Sequence, residues 1–308
     1  MVNTLPRYGE PLRTNDPRRH IRDHGASLLE RARELAAAMP HAVLTGCTGA
    51  AVHGMDVLPP GVAESCWPVE VVRKPVSDPS REPRIPGVVL RSGPLTPVQA
   101  TVVAGLHVAP FECLFVDTAR HLPRPQALAA ADQLLAHGAD RGLTEQLCGS
   151  LRDSYRICQA RDVLAMADPR AESPGESWVR CLVVDAGLPR PQCQIPLSGG
   201  KLRLDMGYPQ WRQAVEYDGW EHHRRTARQA ELDEERRRRI AAEGWRVLVV
   251  TAETVLCSPE DFLWPLRDRL LGAGWQPPRG WLSVVRRRIN YIGMKFRQAR
   301  ETGTLHLL

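Results

Sequence analysis

Residues 202–223, LRLDMGYPQWRQAVEYDGWEHH, decide the fold predicted for the C-terminal half of the chain. Two segments that carry apolar residues at alternate positions flank a Pro-containing turn, and this pattern predicts a β-hairpin. Asp205 and Glu216 are equally distant from the centre of the turn. We therefore expect their carboxylates nearly opposite each other on neighbouring strands. Asp218 should lie beside Glu216, because side chains at i and i+2 share one face of a strand.

Three carboxylates in one small area repel each other and raise one another's pKa unless a cation lies among them. Mg²⁺ or Mn²⁺ is the natural candidate, since hard divalent ions prefer oxygen ligands. The alternative is that the acids face solvent and pair with Arg203 and Arg212. His222 and His223 follow directly, and a histidine there could orient or deprotonate a water. A pair of surface histidines is the alternative for that segment.

The segments around the hairpin extend it to an α/β (α+β) unit. Residues 177–186 predict a helix, QCQIPL a strand, 226–243 a long charged helix, WRVLVVT a strand and 259–271 a further helix. The predicted order, starting from the first helix, is α-β-β-β-α-β-α, with a mixed sheet. Because WRVLVVT is apolar throughout, we expect it to be a buried central strand.

The N-terminal half predicts a separate mixed α+β domain. Its segments are an irregular polar arm over 1–25, a helix over 26–38, a short strand at HAVLT and a helix at CTGAAVHGM. Val-rich runs broken by Pro and Gly over 56–110 then predict a small antiparallel β region. Residues 111–165 have helical patterns. The Pro- and Gly-containing segment ADPRAESPGE, 167–176, is the predicted linker.

Composition narrows the class of protein. A hydrophobic content of 43% excludes intrinsic disorder, and 308 residues favour two domains over one. No run approaches about 18 apolar residues, and the first 20 residues have no apolar core of a signal peptide. We therefore expect a cytoplasmic protein with no membrane partner and no small-molecule cofactor. The eight cysteines stand singly, which argues against both a zinc site and a disulfide framework.

The basic residues are concentrated in the C-terminal half. Residues 171–308 carry a net charge of +5, out of +6 for the whole chain, and 38 of the 41 basic residues are arginine. Arginine matches phosphate oxygens with two donors at once. The candidate nucleic-acid-binding residues are Arg236, Arg237, Arg286 and Arg287. The alternative is that the charge run around 236–239 is a solvated helix face with i,i+4 ion pairs.

The last 35 residues, 274–308, predict a basic amphipathic helical tail. Apolar residues recur at helical spacing and should form one face that packs on the protein. These residues are Leu282, Val285, Ile289, Ile292 and Phe296. The arginines between them, Arg286 and Arg287 included, would then face solvent or nucleic acid.

Residues 172–273 resemble the PD-(D/E)XK restriction-endonuclease fold and, more narrowly, the very-short-patch-repair-like domains found in actinobacterial proteins. The family pattern is a helix-borne Glu, an Asp at a strand end, E-x-D-G with a His three residues after the Gly, a D-x-x-R helix and a G-[WY]-x-V-L strand. The matching residues are Glu176, Asp205, Glu216, Asp218, Gly219, His222, Asp233, Arg236, Gly244, Trp245, Val247 and Leu248.

The resemblance implies a Mg²⁺- or Mn²⁺-dependent endonuclease that hydrolyses DNA. Asp205, Glu216 and Glu176 would hold the metal, Asp218 would assist them, and His222 would position or deprotonate the attacking water. The general signature has a lysine two residues after the second acid, where this chain has Asp218. Another side chain must therefore supply the positive charge of the missing lysine, and His222 is the first candidate.

Residues 26–168 resemble the body of AbiEi-like antitoxins of toxin–antitoxin systems, on the segments AVLTGCTGAAVHGM, GVVLRSGPL and GLHVAPFECLFVDTARHLPRPQALAAADQLL. Those proteins usually begin with a winged helix that binds an operator, whereas residues 1–40 hold one convincing helix.

The resemblance to antitoxins implies an alternative function. The protein would then be a non-catalytic DNA-binding regulator or antitoxin in which the acids are vestigial. The sequence leaves DNA and RNA both open as substrates.

Overall fold

A computed structural model describes residues 25–72, 85–91, 100–151, 156–200, 202–219 and 227–304. The chain is an α+β protein, and its described part divides into two compact units after Pro169. The second unit is Arg170–Glu301, and the residues from Thr302 onward group with the first. This division falls inside the segment 167–176. Residues 1–24 of the predicted arm over 1–25 and the His222–His223 pair lie outside the described residues.

Over its described residues, the first unit begins with two helices and four short strands and continues as four helices. The strands are β1 Val69–Val72, β2 Val88–Arg91, β3 Thr101–Val103 and β4 Leu106–Val108. The helices are α1 Leu28–Ala38, α2 Gly46–Val52, α3 Phe111–His121, α4 Arg124–Ala136, α5 Arg141–Ser150 and α6 Ile157–Met166. Ser27 and Glu30 form a capping box that begins α1. The predicted helices over 26–38 and 111–165 are present.

The predicted antiparallel region over 56–110 is wrong in part. β3 and β4 are antiparallel, but β1 and β2 pair in parallel. The predicted strand at HAVLT is reduced to one bridging residue, Leu44, which contacts both Val71 and Val108. The chain leaves the extended conformation at Gly46, whose φ is +56°, and enters α2. Strand propensity could not reveal this early turn, because a buried carboxylate from β1 stabilises it.

That carboxylate belongs to Glu70, which is 1% exposed. It accepts hydrogen bonds from the Cys47 backbone N–H at 2.6 Å, from Trp67 Nε1 at 3.2 Å and from Arg91 Nε at 3.0 Å. A Cβ on Gly46 would lie 2.6 Å from the carboxylate, so only glycine fits there. The buried Glu70 carboxylate is thus paired with Arg91 inside the first unit, as expected for a buried charge.

In the part of the chain that the structure describes, the second unit begins with a helix and continues as a β-meander, a crossover helix and a fourth strand, followed by three helices. Its elements are α7 Pro174–Asp185, β5 Gln192–Leu197, β6 Leu202–Tyr208, β7 Gln213–Asp218, α8 Ala227–Ala242, β8 Arg246–Thr251, α9 Ala252–Cys257, α10 Glu260–Gly272 and α11 Trp281–Thr302. The predicted order α-β-β-β-α-β-α is observed, with one additional short helix, α9.

The sheet of the second unit is mixed, in the order β5-β6-β7-β8. β5, β6 and β7 are antiparallel neighbours, and β8 runs parallel to β7. Leu204, Ala214, Ile240 and Trp245 belong to the core between the sheet and α8. A Cβ on Gly207 would lie 2.9 Å from the Ala214 Cα, so β6 and β7 approach closely through this glycine.

The prediction that WRVLVVT is a central strand is wrong. β8 is at one end of the described sheet, and Val249 is 49% exposed. The physical reason is topological: α8 returns the chain to the open side of β7, and no described strand follows on the other side of β8. An apolar run indicates a strand but does not report whether one or two neighbours pair with it.

α11 is amphipathic as predicted. Val285, Ile289, Ile292 and Phe296 are buried, whereas Leu282, the first member of the predicted apolar face, is 43% exposed. Arg286 and Arg287 are exposed. In the described ranges, no helix has the length and apolarity that crossing a membrane requires.

Candidate active site

The β6–β7 hairpin brings two of the predicted acids together. Met206 pairs with Val215 in this hairpin, and continuing the register by one residue places Asp205 opposite Glu216. The regular pairing of β6 with β7 ends at Met206 and Val215, and beyond it the Tyr217 N–H donates to Asp205 Oδ2 at 2.9 Å. The hairpin therefore has the register that its sequence symmetry predicts.

A pocket of about 260 Å³ lies over this end of the two strands. Charged residues of both signs line it, along with Tyr217 and Val249. The charged residues are Asp205, Glu216, Asp218, Asp233, Arg236 and Arg237. The hairpin and α8 thus bring the hairpin acids and two of the candidate phosphate-binding arginines to one place.

Glu216 and Arg236 form an ion pair. Nη1 of Arg236 donates to Oε2 of Glu216 at 2.8 Å, and Nη2 lies 2.7 Å from Oε1. Nη2 also donates to the backbone carbonyl of Arg203 at 2.8 Å. Glu216 is 17% exposed and Arg236 34%. In the structure Arg236 therefore binds a carboxylate of its own chain, and its predicted phosphate contact stays a prediction.

The alternative pairing of the acids with Arg203 and Arg212 is not observed. Arg203 forms an ion pair with Glu172, and Arg212 donates to the Glu243 backbone carbonyl. Arg237 lies 3.5 Å from Glu234 in an exposed i,i+3 pair, as expected for a solvated helix face.

Glu176 is held apart from the pocket by its own hydrogen bonds. It lies in the first turn of α7, where its carboxylate accepts from Ser173 Oγ at 2.9 Å, from the Glu172 N–H at 3.1 Å and from Gln194 Nε2 at 3.0 Å. The Glu176 N–H donates back to Ser173 Oγ. The structure thus places Glu176 at a fixed position beside the hairpin, and it does not line the pocket with the other acids.

Burial raises the pKa of Asp205, Glu216 and Glu176 above their ordinary values. The Tyr217 N–H opposes this effect at Asp205, and Arg236 opposes it at Glu216. The negative charge of Asp205 further raises the pKa of Glu176. Buried acids that interact in this way are frequent at catalytic and metal-binding sites.

The donor atoms fit a hard divalent cation. Glu216 Oε1 is buried and, although Nη2 of Arg236 is close, it accepts no well-aligned hydrogen bond from any described residue, so it retains lone pairs for a ligand. The Asp205 carboxylate is adjacent. The described residues contain no group of three His, Cys, Asp or Glu side chains arranged to hold a metal ion. A Mg²⁺ or Mn²⁺ ion would therefore be held by Asp205 and Glu216, with water as its further ligands.

The chain is similar to two known proteins, and both of them are uncharacterized. The chain is 35% identical over 148 residues to uncharacterized proteins from two strains of Mycobacterium tuberculosis. The match covers 47% of this chain and 54% of each relative, so the chain spans about half the length of the curated relatives it matches. No protein-family model matches the chain. No solved structure matches it significantly.

The contact between α7 and the acid-bearing strand β7 was not predicted from the sequence. The Tyr217 ring packs directly on Gly175, so that a Cβ on this glycine would overlap the ring. Tyr217 lies between Glu216 and Asp218 in the chain, and Gly175 precedes Glu176. This contact therefore sets the distance between the helix acid and the strand acids. The Pro-Gly-Glu sequence at the start of α7 is the signal that could have indicated it.

Gly175→Ala is expected to destabilise the fold by about 1–3 kcal/mol, because the added methyl forces the ring or the helix to move. Urea denaturation measures this change. Gly149→Ala is the matched control, since Gly149 lies in α5 and, apart from its chain neighbours and the backbone of its own helix, no described atom is within 4 Å of the place that its added methyl would take. It should be neutral or stabilising by up to about 1 kcal/mol. Equal stability of the two variants would show that the tyrosine contact is loose.

Proposed function

We propose that the second unit is a metal-dependent endonuclease that hydrolyses phosphodiester bonds of DNA. The observation that supports this proposal best is the pairing register that makes Asp205 and Glu216 neighbours in a pocket whose other walls carry arginine. Two adjacent, half-buried carboxylates in an α-β-β-β-α-β unit are what the resemblance to PD-(D/E)XK enzymes leads one to expect.

The proposed roles follow from position and chemistry. Asp205 and Glu216 hold the metal, and Glu176 supports them from α7, where three hydrogen bonds fix its carboxylate. Asp218 follows Glu216 on the same strand and assists through water. His222 takes a proton from the attacking water, since histidine titrates near neutral pH. A bound Mg²⁺ would lower the pKa of that water and neutralise charge on the phosphate oxygens.

Exposed arginines on α11 supply a surface for the DNA backbone. Arg286 and Arg287 are exposed, and neither has an ion-pair partner among the described residues. Tyr291 is 55% exposed on the same helix, and Lys295 Nζ lies 5.5 Å from its ring centroid. Unpaired arginine beside an exposed aromatic ring is suited to phosphate contact with little sequence readout.

The double variant Arg286→Gln/Arg287→Gln is expected to bind duplex DNA more weakly and with a lower salt dependence. Each lost phosphate contact reduces the slope of log K against log salt by about 0.9, so both together reduce it by about 2. Fluorescence anisotropy from about 50 to 200 mM salt measures the slope. Arg238→Gln/Arg239→Gln is the control, because those exposed arginines already pair with Glu234 and Glu235. Equal slopes for both double variants would remove α11 from the DNA-binding surface.

Metal titration of cleavage tests the proposed function itself. The full chain is incubated with single-stranded DNA, duplex DNA and RNA at increasing Mg²⁺ or Mn²⁺, with EDTA as the blank. We expect cleavage of DNA that depends on the metal and is saturable. If no nucleic acid is cleaved at any metal concentration while DNA is still bound, the enzymatic proposal is wrong.

A non-catalytic DNA-binding regulator or antitoxin is the second candidate. One observation favours it: Arg236 already neutralises Glu216, so the acid pair persists without a metal. Asp218 in the lysine position agrees with that function. The same titration distinguishes the two candidates, since the regulator would bind DNA in EDTA and in Mg²⁺ alike and would cleave neither strand.

A further inference from the structure

The guanidinium of Arg236 is paired with the carboxylate of Glu216, which is also a proposed ligand of the metal. Its two terminal nitrogens both contact Glu216, and Nη2 also bonds the Arg203 carbonyl. An arginine has five N–H groups, so this arrangement leaves Nε–H and the second Nη1–H for another acceptor. Arg236 is one-third exposed and lines the pocket, so an oxygen atom that enters the pocket can reach these donors.

A divalent ion on Glu216 and the guanidinium on Glu216 repel each other. In a partly buried site, where the effective dielectric constant is well below that of water, charges a few ångströms apart interact strongly. By comparison, the benefit of holding one carboxylate in a fixed rotamer is small. Removing the arginine charge should therefore strengthen binding of the ion, although it leaves Glu216 without a counterion when no ion is bound.

We propose that Arg236 and the divalent ion exchange at Glu216, and that the released guanidinium then binds a non-bridging oxygen of the substrate phosphate. This inference rests on the proposed function. It identifies the side chain that supplies the positive charge of the missing signature lysine. Position 218 carries an aspartate where the related signature has a lysine, and Arg236 supplies the positive charge from α8. Arg236 is thus a catalytic residue that is paired with Glu216 until the metal binds.

Arg239 provides the matched control. It lies three residues after Arg236 on α8, is 57% exposed and forms an ion pair with Glu235. Arg236→Gln and Arg239→Gln therefore remove the same charge from the same helix, and only the first removes a partner of Glu216.

The experiment measures Mn²⁺ affinity by isothermal titration calorimetry and DNA cleavage at saturating Mn²⁺, on the full chain. Arg236→Gln is expected to bind Mn²⁺ about tenfold or more tightly than wild type and to cleave about 10²-fold more slowly. Arg239→Gln should change both by less than about threefold. Opposite changes in affinity and rate are the signature of exchange, because damage to the fold alone would weaken both.

Melting temperatures measured in EDTA and in Mn²⁺ test the exchange even if Arg236→Gln is destabilised. Arg236→Gln should melt lower than wild type in EDTA, because Glu216 loses its counterion, and Mn²⁺ should restore most of the loss. An unfolded variant that Mn²⁺ does not rescue would contradict the exchange.

The remaining outcomes separate the two proposals. Wild-type protein that binds no Mn²⁺ overturns the proposed function and this inference with it. Wild-type protein that binds Mn²⁺ but cleaves nothing overturns the enzymatic function, and the change in Mn²⁺ affinity of Arg236→Gln still decides the exchange. Unchanged or weaker Mn²⁺ binding by Arg236→Gln, in a wild type that cleaves, overturns the exchange alone.

Discussion

Asp205→Asn is expected to abolish Mn²⁺ binding and DNA cleavage while the protein remains folded. Loss of a supporting partner around a metal typically costs about 10- to 100-fold in affinity, and loss of a direct ligand should cost at least as much. Asparagine conserves the volume of the side chain, and its carbonyl oxygen can still accept the hydrogen bond from the Tyr217 N–H. Calorimetric titration with Mn²⁺ measures the change.

The same variant should be at least as stable as wild type at pH 7 in EDTA. Burial raises the pKa of Asp205 in the folded state, so its contribution to stability is present below the ordinary pKa of an aspartate and is lost as pH rises through the raised value. Asparagine does not titrate, so the free energy of unfolding of the variant should not fall in this way as pH rises. Melting temperatures from pH 4 upward test the direction.

An exposed acid provides the control for both measurements. Asp268 on α10 is 61% exposed and contacts Arg267, so Asp268→Asn should leave Mn²⁺ affinity unchanged. If Asp205→Asn binds Mn²⁺ as tightly as wild type does, Asp205 is not a ligand. If it is destabilised at pH 7 more than at pH 4, the acid is stabilised by its surroundings and the proposed repulsion is absent.

His222→Ala is expected to slow DNA cleavage by roughly 10²- to 10⁴-fold without preventing Mn²⁺ binding, the usual effect of losing a general acid or base. β7 ends at Asp218, and the sequence continues with Gly219 and, three residues later, His222. Among the side chains of EYDGWEHH, only the two histidines can take a proton near neutral pH. Single-turnover cleavage at saturating Mg²⁺ measures the rate.

His223→Ala on the same substrate is the matched comparison, since it removes an adjacent identical side chain. We expect it to retain most of the wild-type rate. A slower His223→Ala than His222→Ala would exchange the two roles. If wild type cleaves and neither variant is slowed, a histidine does not act as the base.

The hairpin could be predicted from sequence because its geometry has few free parameters. The side-chain period of a strand is two residues, and the turn centre then determines which residues are opposite, so Asp205 and Glu216 could be paired by position alone. The amphipathic face of α11 was predictable for the same reason, from a fixed helical period. Leu282 was the exception, since it lies in the first turn, where fewer neighbours cover the helix.

Pairings between distant segments could not be predicted. Hydrophobicity indicated strands at 69–72 and 88–91, but their parallel direction depends on the connection between them. The apolar residues of β8 indicated a strand and not its place at the end of the sheet. The ion pair between Arg236 and Glu216 could not be predicted either, because Glu216 is 20 residues earlier in the chain, on a different element.

The position of β8 has a consequence for self-association. An end strand presents backbone groups to which another chain can add a strand, and an apolar one such as β8 is prone to this form of aggregation. Arg269 of α10 donates to the Val247 carbonyl at 2.9 Å, so a charged side chain already occupies one acceptor of the strand. Arg269 therefore hinders the addition of a strand from another molecule, because its guanidinium already binds a backbone carbonyl of β8. The chain can thus have an apolar end strand beside its charged pocket with less risk of aggregation.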